Sequence, residues 1–233
     1  MPTQSIASDR TRARLIDAAG EMFAERGFHH TTVRQICQRA GANIAAVNYH
    51  FRDKTGLYTE VVRQSMRAAR LDAVRAAFDR NAPPEEILHA VIKTRLESLR
   101  GFDLSDWHFR IFAHELAKPT PATDVVVNEG IRPLYSRLCN LVGGILKLPP
   151  DDEKTRLCAH SVIGQMLFYV FAKPVINRLA PQMKMTATQV DQLADHITEF
   201  SLAYLRQAKS KRQRTKTKVD GKRHDRSSKT NAR

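Results

Sequence analysis

The chain has 233 residues, 42% of them hydrophobic, three cysteines and a formal net charge of +14. That is apolar material for one or two folded domains, too few cysteines for a disulfide framework, and a charge balance that points to a polyanionic partner. No charged-then-apolar leader opens it, and the longest apolar run, 157–172, is short and interrupted by His160, Ser161 and Gln165, so a cytoplasmic protein without a membrane span is expected.

The first nine residues are polar and predict no element. From Thr11 to Arg26 the apolar residues Leu15, Ala18, Ala19, Met22 and Phe23 recur at helical spacing, and Gly27 stops the helix. Thr32 followed by Gln35 spells a capping box, in which a hydroxyl and an amide satisfy orphan N–H groups reciprocally. Val33, Ile36, Cys37 and Ala40 fall on one face of the next helix, with Cys37 read as a small buried hydrophobe. Gly41 ends that helix, because glycine takes the left-handed conformation without steric cost. Asn43 can cap a short helix from Ile44 to about Phe51. Helix, short glycine-containing turn, helix is the helix-turn-helix signature. The second helix offers Ala45, Ala46, Asn48, Tyr49 and His50 outside its core contacts. Asn48 can pair with an adenine edge and the alanines can touch a thymine methyl, while Tyr49 and His50 can donate to phosphates. Asp53 reads as the next N-cap, which puts Lys54 at the first helical position. A cation there opposes the helix dipole unless a phosphate sits at that end; a solvated lysine is the plain alternative.

The stretch from about Arg10 to Val62 resembles the DNA-binding domain of the TetR family of transcriptional regulators. The residues that carry the likeness are Ala18, Ala19, Phe23, Gly27, Thr32, Ile36, Ala40-Gly41, Tyr49, Phe51, Lys54 and Leu57. The resemblance implies that Thr32, Tyr49, His50 and Lys54 contact the DNA backbone, and that Arg34, Ile44, Ala45, Ala46 and Asn48 face bases. With Asn43 these form the candidate DNA-binding set. The family often has Val-Ser where this chain has Ala42-Asn43, and an aromatic where it has Asn48, so no operator sequence is carried over. Asn43-Ile44-Ala45-Ala46, Tyr49-His50-Phe51, His114-Glu115-Leu116 and Pro119 are further similar to the CecR-like subgroup, which implies a regulator of stress or drug-tolerance genes.

Lys54 to about Phe78 reads as one long helix, since no glycine or proline follows Gly56. Such a helix could join a head to a body as a lever. Asn81 to Pro84 is a break, with Pro84 suited to start the next helix. Everything beyond reads helical: Glu85 to Arg100 up to Gly101, Leu104 to Leu116, Asp124 to Leu146 with a bend near Pro133, Asp151 or Asp152 to about Phe171, and about Thr188 to Arg206. No β-alternating run appears, so the fold class is all-α. The expected divisions are a head over 1–62, a helical ligand-binding and dimerisation body over 63–206, and an unstructured basic tail over 207–233. From Arg206 onward stand 12 Lys and Arg against 2 Asp, which puts +10 of the +14 in the tail.

Aromatic density in Phe102 to Leu116 suggests a largely apolar ligand pocket with a few polar handles. Its candidates are Trp107, His108, Ile111 and Phe112 with His160, Gln165, Phe168 and Tyr169; a packed core without a cavity explains the same residues. Val190, Leu193, Ile197, Phe200 and Tyr204 step by three and four, the stripe of a helix seam. These are the candidate dimer interface, with packing inside one chain as the alternative; the TetR resemblance implies pairing through the last body helices. His108 and His114 are six residues apart and share no face, so no metal is expected. No nucleophile elbow or phosphate loop appears, so neither enzyme chemistry nor a cofactor is expected. The expected function is a homodimeric, sequence-specific DNA-binding regulator, a repressor released by a small apolar or amphipathic effector. The alternatives are a regulator without a small-molecule ligand, and a non-specific architectural nucleic-acid-binding protein.

Overall fold

The computed structural model describes residues 3–100 and 105–230, with side chains described outside 3–5, 99, 170 and 212–230. All regular elements among them are helical. In order they are α1 Thr3–Arg26, α2 Val33–Ala40, α3 Ile44–Phe51, α4 Lys54–Ala68, α5 Leu71–Ala77, α6 Pro84–Arg100, α7 Trp107–Ala117 and α8 Thr123–Val125. A π-helical turn, Val126–Ile131, leads into α9 Arg132–Leu146, followed by α10 Glu153–Phe171, α11 Lys173–Leu179 and α12 Ala187–Thr230. Among the described residues no single helix is long and apolar enough to cross a membrane.

The chain divides into two compact units, residues 1–75 with 101–134 and residues 76–100 with 135–233. The first is built around α1, α2, α3, α4 and α7. Leu15, Ile16, Ala19, Met22 and Phe23 of α1 bury against Ile36, Val47, Leu57, Tyr58 and Val61, joined by Ile111 and Phe112 of α7. Each large apolar side chain fully withdrawn from water contributes about 1.5–3 kcal/mol. Phe23, Phe28 and Tyr58 pack edge to face or tilted, with ring centroids 4.8–6.0 Å apart. In the second unit, α6 packs on α12, and Leu88, Ile92, Leu96, Leu138, Val142, Val162, Val190, Leu193 and Ile197 share a core.

Several expectations are corrected. The first helix starts at Thr3 instead of near Thr11, because nothing between them interrupts a helix once α1 is nucleated by its packed half. The long helix expected over Lys54 to Phe78 is two helices. It breaks at Arg70, which takes a left-handed conformation with φ 51°. The buried Ser65 hydroxyl donates to Val62 O at 2.7 Å, a backbone contact that favours bending. The break lets Leu71 turn into the first core, beside Gly130. The helix expected over Leu104 to Leu116 is described as Trp107–Ala117, where Asp106 Oδ1 accepts the His108 N–H at 3.0 Å; Gly101 and Leu104 lie outside the described residues. Lys173–Leu179 was not foreseen as a helix. The backbone of α12 runs on to Thr230, where no structure was expected after Lys209, since lysine, arginine and glutamine extend a nucleated helix at little cost.

Candidate nucleic-acid interface

Three consecutive helix starts in the first unit are closed by their own side chains. At Thr32, the Gln35 N–H donates to Thr32 Oγ1 at 3.3 Å while the Thr32 N–H donates back to Gln35 Oε1 at 3.0 Å. The Thr32 hydroxyl also donates to Gln35 Oε1 at 2.9 Å, so its hydrogen is committed to the cap. Gly41 takes φ 58° and returns the chain through Ala42 N–H to Cys37 O at 3.0 Å. At Asn43, Oδ1 accepts the Ala45 N–H at 3.0 Å. At Asp53, Oδ1 accepts the Gly56 N–H at 2.8 Å. Each such cap stabilises its helix by about 1 kcal/mol.

These caps fix the faces of α3. Val47 and Phe51 are buried, which turns Ile44 and Asn48 outward on one line and Ala45 and Tyr49 on the next. Tyr49 is 80% exposed and Ile44 48%. Two apolar residues held in water on an eight-residue helix with a small alanine between them make a surface shaped for a partner. Asn48 makes no side-chain hydrogen bond among the described residues, so both ends of its amide are free. Arg34 is exposed on α2; His50 is half-buried, and Ala46 is half-buried against the core, turned away from the open face. The Lys54 ammonium lies 4.4 Å from the centroid of Phe28, and burial pushes its pKa down from the ordinary lysine value. It is thereby held at the start of α4 instead of sweeping through solvent.

Two cations of this surface were missed. Arg52, between α3 and α4, is exposed and takes φ 72° and ψ −50°, a conformation costly for a residue with a Cβ. Its place directly before an Asp N-cap was the available signal. Arg14 of α1 reaches the helix-turn-helix corner, with Nη1 3.8 Å from where a Cβ on Gly41 would stand. Neither has an ion-pair partner among the described residues. Elsewhere on this unit four arginines are held in ion pairs: Arg39 with Glu21, Arg63 with Glu129, and Arg12 and Arg67 with Glu60. Burial pushes the Glu60 pKa up, but Arg67 and Arg12 outweigh it and hold the carboxyl below its ordinary range. Cys37 is buried under this surface, and that burial raises its thiol pKa, as suits a core residue.

The eight candidate pocket residues fall into two groups. Trp107, His108, Ile111 and Phe112 belong to the first unit, and His160, Gln165, Phe168 and Tyr169 to the second. Trp107 lies on Gly20 of α1, where a Cβ would stand 2.5 Å from the indole. A glycine inside an apolar helix stripe was the signal for that close approach. His108 stacks on Trp107 at 3.6 Å and its Nδ1 meets Asp106 Oδ1 at 2.7 Å. Ile111 and Phe112 are packed core. In the second unit, His160 stacks on Tyr135, Phe168 is 57% exposed, and Gln165 lines a cavity of about 540 Å3 with Cys158, Ser161, Val162, Phe200, Ser201 and Tyr204. The five seam residues of α12 also divide. Val190, Leu193 and Ile197 are consumed by the core of their own unit, because α6 covers that side of α12. Only Phe200, at 63%, and Tyr204, at 52%, face solvent, and on α10 Leu157, Phe168 and Phe171 are exposed as well. No cluster of metal-ligating side chains occurs among the described residues.

Residues 15–61 match the model of the bacterial regulatory proteins of the tetR family, and residues 84–205 match that of the C-terminal domain of the HTH-type transcriptional dual regulator CecR. The HTH-type transcriptional dual regulator CecR of Shigella flexneri is 30% identical over 186 residues, which is 75% of this chain and 82% of that protein. Among solved structures, a putative transcriptional regulator from Pseudomonas aeruginosa PAO1 aligns with a TM-score of 0.60 at 21% identity, covering 82% of this chain and 90% of that one. The regulator FadR of Bacillus subtilis, solved in complex with stearoyl-CoA, aligns with a TM-score of 0.56 at 20% identity, covering 82% and 97%.

Proposed function

The chain belongs to the TetR family of transcriptional regulators, within the group carrying the CecR C-terminal domain, and from that premise we propose a homodimeric repressor whose hold on DNA a small ligand releases. It is a DNA-binding regulator and not an enzyme. The observation that carries the DNA-recognition part of this reading is α3: capped at Asn43, buried along Val47 and Phe51, and open along Ile44, Ala45, Asn48 and Tyr49. In this reading α3 enters a major groove. Asn48 pairs with an adenine edge, Ala45 and Ile44 touch thymine methyls, and Tyr49, His50, Lys54, Arg34, Arg14 and Arg52 meet phosphates or flanking edges. Thr32 contributes through the start of α2, its hydroxyl being engaged.

The dimer is supported by the exposed apolar residues Leu157, Phe168, Phe171, Phe200 and Tyr204 on α10 and α12, a patch a second copy would cover. The groove between those helices faces the same patch, so in the dimer it is closed by the partner subunit. An apolar or amphipathic effector is supported by the stearoyl-CoA in the Bacillus subtilis structure, a chemistry that suits an aliphatic helical body. The divisions proposed are a head over 1–62, a body over 63–206 and a basic tail over 207–233, in a cytoplasmic protein.

The test is a binding-site selection followed by footprinting on DNA flanking the protein's own gene. A near-palindrome with half-sites about 34–36 Å apart, or a multiple of that, is expected. Equal affinity for operator and random duplexes across a salt titration overturns the reading in favour of an architectural protein. Acyl-CoA added to the operator complex should release it; a complex unmoved by any acyl chain removes the ligand from the proposal.

A further inference from the structure

Glu115 of α7 is 1% exposed and no cation is among its partners in the described residues. Three hydroxyls close on its carboxylate instead. Tyr58 Oη of α4 donates to Oε1 at 2.5 Å, Thr120 Oγ1 to Oε1 at 2.8 Å, and Thr123 Oγ1 to Oε2 at 2.7 Å. The two threonine hydroxyls are themselves fed: Thr120 Oγ1 accepts the Ala122 N–H at 3.1 Å, and Thr123 Oγ1 accepts the Thr120 N–H at 2.8 Å. Both threonine O–H groups therefore point one way, from backbone N–H through hydroxyl to carboxylate, and Tyr58 adds a third donor. The cage is built for a group that only accepts. Burial raises the Tyr58 pKa and the bond to Glu115 raises it further, so that hydrogen stays on the phenol and remains a donor.

An ionised carboxylate taken out of water is costly unless charge-assisted hydrogen bonds replace its hydration. An isosteric apolar pair would hold α4 and α7 together as firmly, with no such cost. What the anion adds is direction: the Tyr58 bond forms at one rotation and one height of α4 against α7, and the two threonine bonds hold the carboxylate in place to receive it. Tyr58 sits in the opening turns of α4, two residues past Gly56. At Gly56, a Cβ would stand 2.0 Å from Phe51 O, the last residue of α3. Only two residues, Arg52 and Asp53, separate the two helices, and the Asp53 cap locks the joint. The exposed Arg63–Glu129 pair also ties α4, to the π-helical turn, but both side chains stand in water and contribute little.

We propose that Glu115 is a positioning residue for DNA recognition: by caging its carboxylate between Tyr58, Thr120 and Thr123 it fixes the setting of α4 on α7 and, through the α3–α4 joint, the orientation in which α3 meets the operator. This rests on the regulator reading above, and the experiment separates the two.

The full-length protein and its Tyr58→Phe and Glu115→Gln variants are compared by amide hydrogen exchange and by affinity for operator and random duplexes. Tyr58→Phe keeps the ring in its cluster with Phe23 and Phe28 and removes one donor to a charged group. Exchange along the first half of α4 is expected to rise about tenfold or more, with α2 unchanged. Operator affinity should fall about tenfold, with random-duplex affinity unchanged, because phosphate attraction does not depend on the setting of α3. Glu115→Gln offers an acceptor oxygen but turns an NH2 group onto committed oxygens, and should move both readouts in the same direction. Should Glu115→Gln fail to fold, Tyr58→Phe decides alone. Unchanged α4 exchange in Tyr58→Phe overturns the proposal, and so does faster exchange with intact operator affinity, which makes Glu115 a packing group. A wild-type protein that selects no DNA sequence removes the regulator reading instead, and the exchange arm still decides whether Glu115 holds α4.

Discussion

Replacing Gly56 with alanine sets two effects of known size against each other. Gly56 lies in the first turn of α4, where alanine gains up to about 1 kcal/mol in helix propensity. Its new Cβ, however, would stand 2.0 Å from Phe51 O and 3.1 Å from Phe51 C. That obstacle is backbone and cannot rotate away, so the end of α3 must move by about 1 Å or the first turn of α4 must open. Forced repacking of this kind costs about 1–3 kcal/mol, and opening the turn forfeits the Asp53 cap, about 1 kcal/mol more. The loss wins, by about 1–3 kcal/mol. Gly144 in α9 is the matched control: exposed, with nothing within 4 Å of its would-be Cβ. Gly144→Ala should stabilise by about 0.5–1 kcal/mol. Urea denaturation of the two variants should move the midpoint in opposite directions, and Gly56→Ala should also weaken operator binding through α3. A Gly56→Ala protein more stable than the parent, with operator affinity intact, would falsify the close-joint reading.

Asn48→Ala should cost about 1–3 kcal/mol on the preferred base and relax selectivity at one position per half-site, whereas Lys54→Ala should weaken all sequences alike and lower the salt slope by about one unit per subunit; binding-site selection and salt titration distinguish them. Phe168→Asp with Phe200→Asp should yield folded monomers in sedimentation, while Leu193→Asp, at a position only 7% exposed, should instead unfold the second unit. The Glu60 carboxyl titrates below its ordinary range in the folded protein, so its ion pairs add stability above the usual glutamate pKa of about 4.3, and that stability is lost as pH falls through the folded value. Glu60→Gln should therefore lower the urea midpoint at neutral pH and converge on the parent in acid; a gap that persists in acid rejects the ionic reading. Truncation after Lys211 should flatten the slope of log affinity against log salt by about 0.9 for each phosphate the tail no longer neutralises, without changing base preference, and equal slopes would leave the tail a passive extension.

The elements legible in the sequence are those whose signals are local. Thr32 with Gln35, Gly41, Asn43 and Asp53 each specify a helix end within four residues, and all four do in the structure what their chemistry requires. The break at Arg70 was not legible, because it is imposed by Leu71 finding the core and not by a glycine or proline. The period of Val190, Leu193 and Ile197 correctly announced a buried seam, but a period does not say what covers it, and here α6 of the same chain does. Trp107 was read as a pocket residue from aromatic density alone; Gly20, eighty-seven positions earlier, decides where its indole goes.

The cap at Asn43 constrains what that residue can say to a nucleic acid. Its Oδ1 accepts the Ala45 N–H, which leaves that oxygen one further lone pair beside the two amide hydrogens and fixes the plane of the amide. It can give hydrogen bonds to guanine O6 or N7, thymine O4, adenine N7 or a phosphate, and can receive at most one from cytosine N4 or adenine N6. Asn48, with both amide ends free, has the full two-way vocabulary. The same side chain type, at the cap and again within α3, is thus partly committed and held in one plane at Asn43 and wholly free at Asn48. Of any base contacts the two make, those of Asn43 should be the narrower, because its amide plane is set by the cap and cannot turn to suit the base.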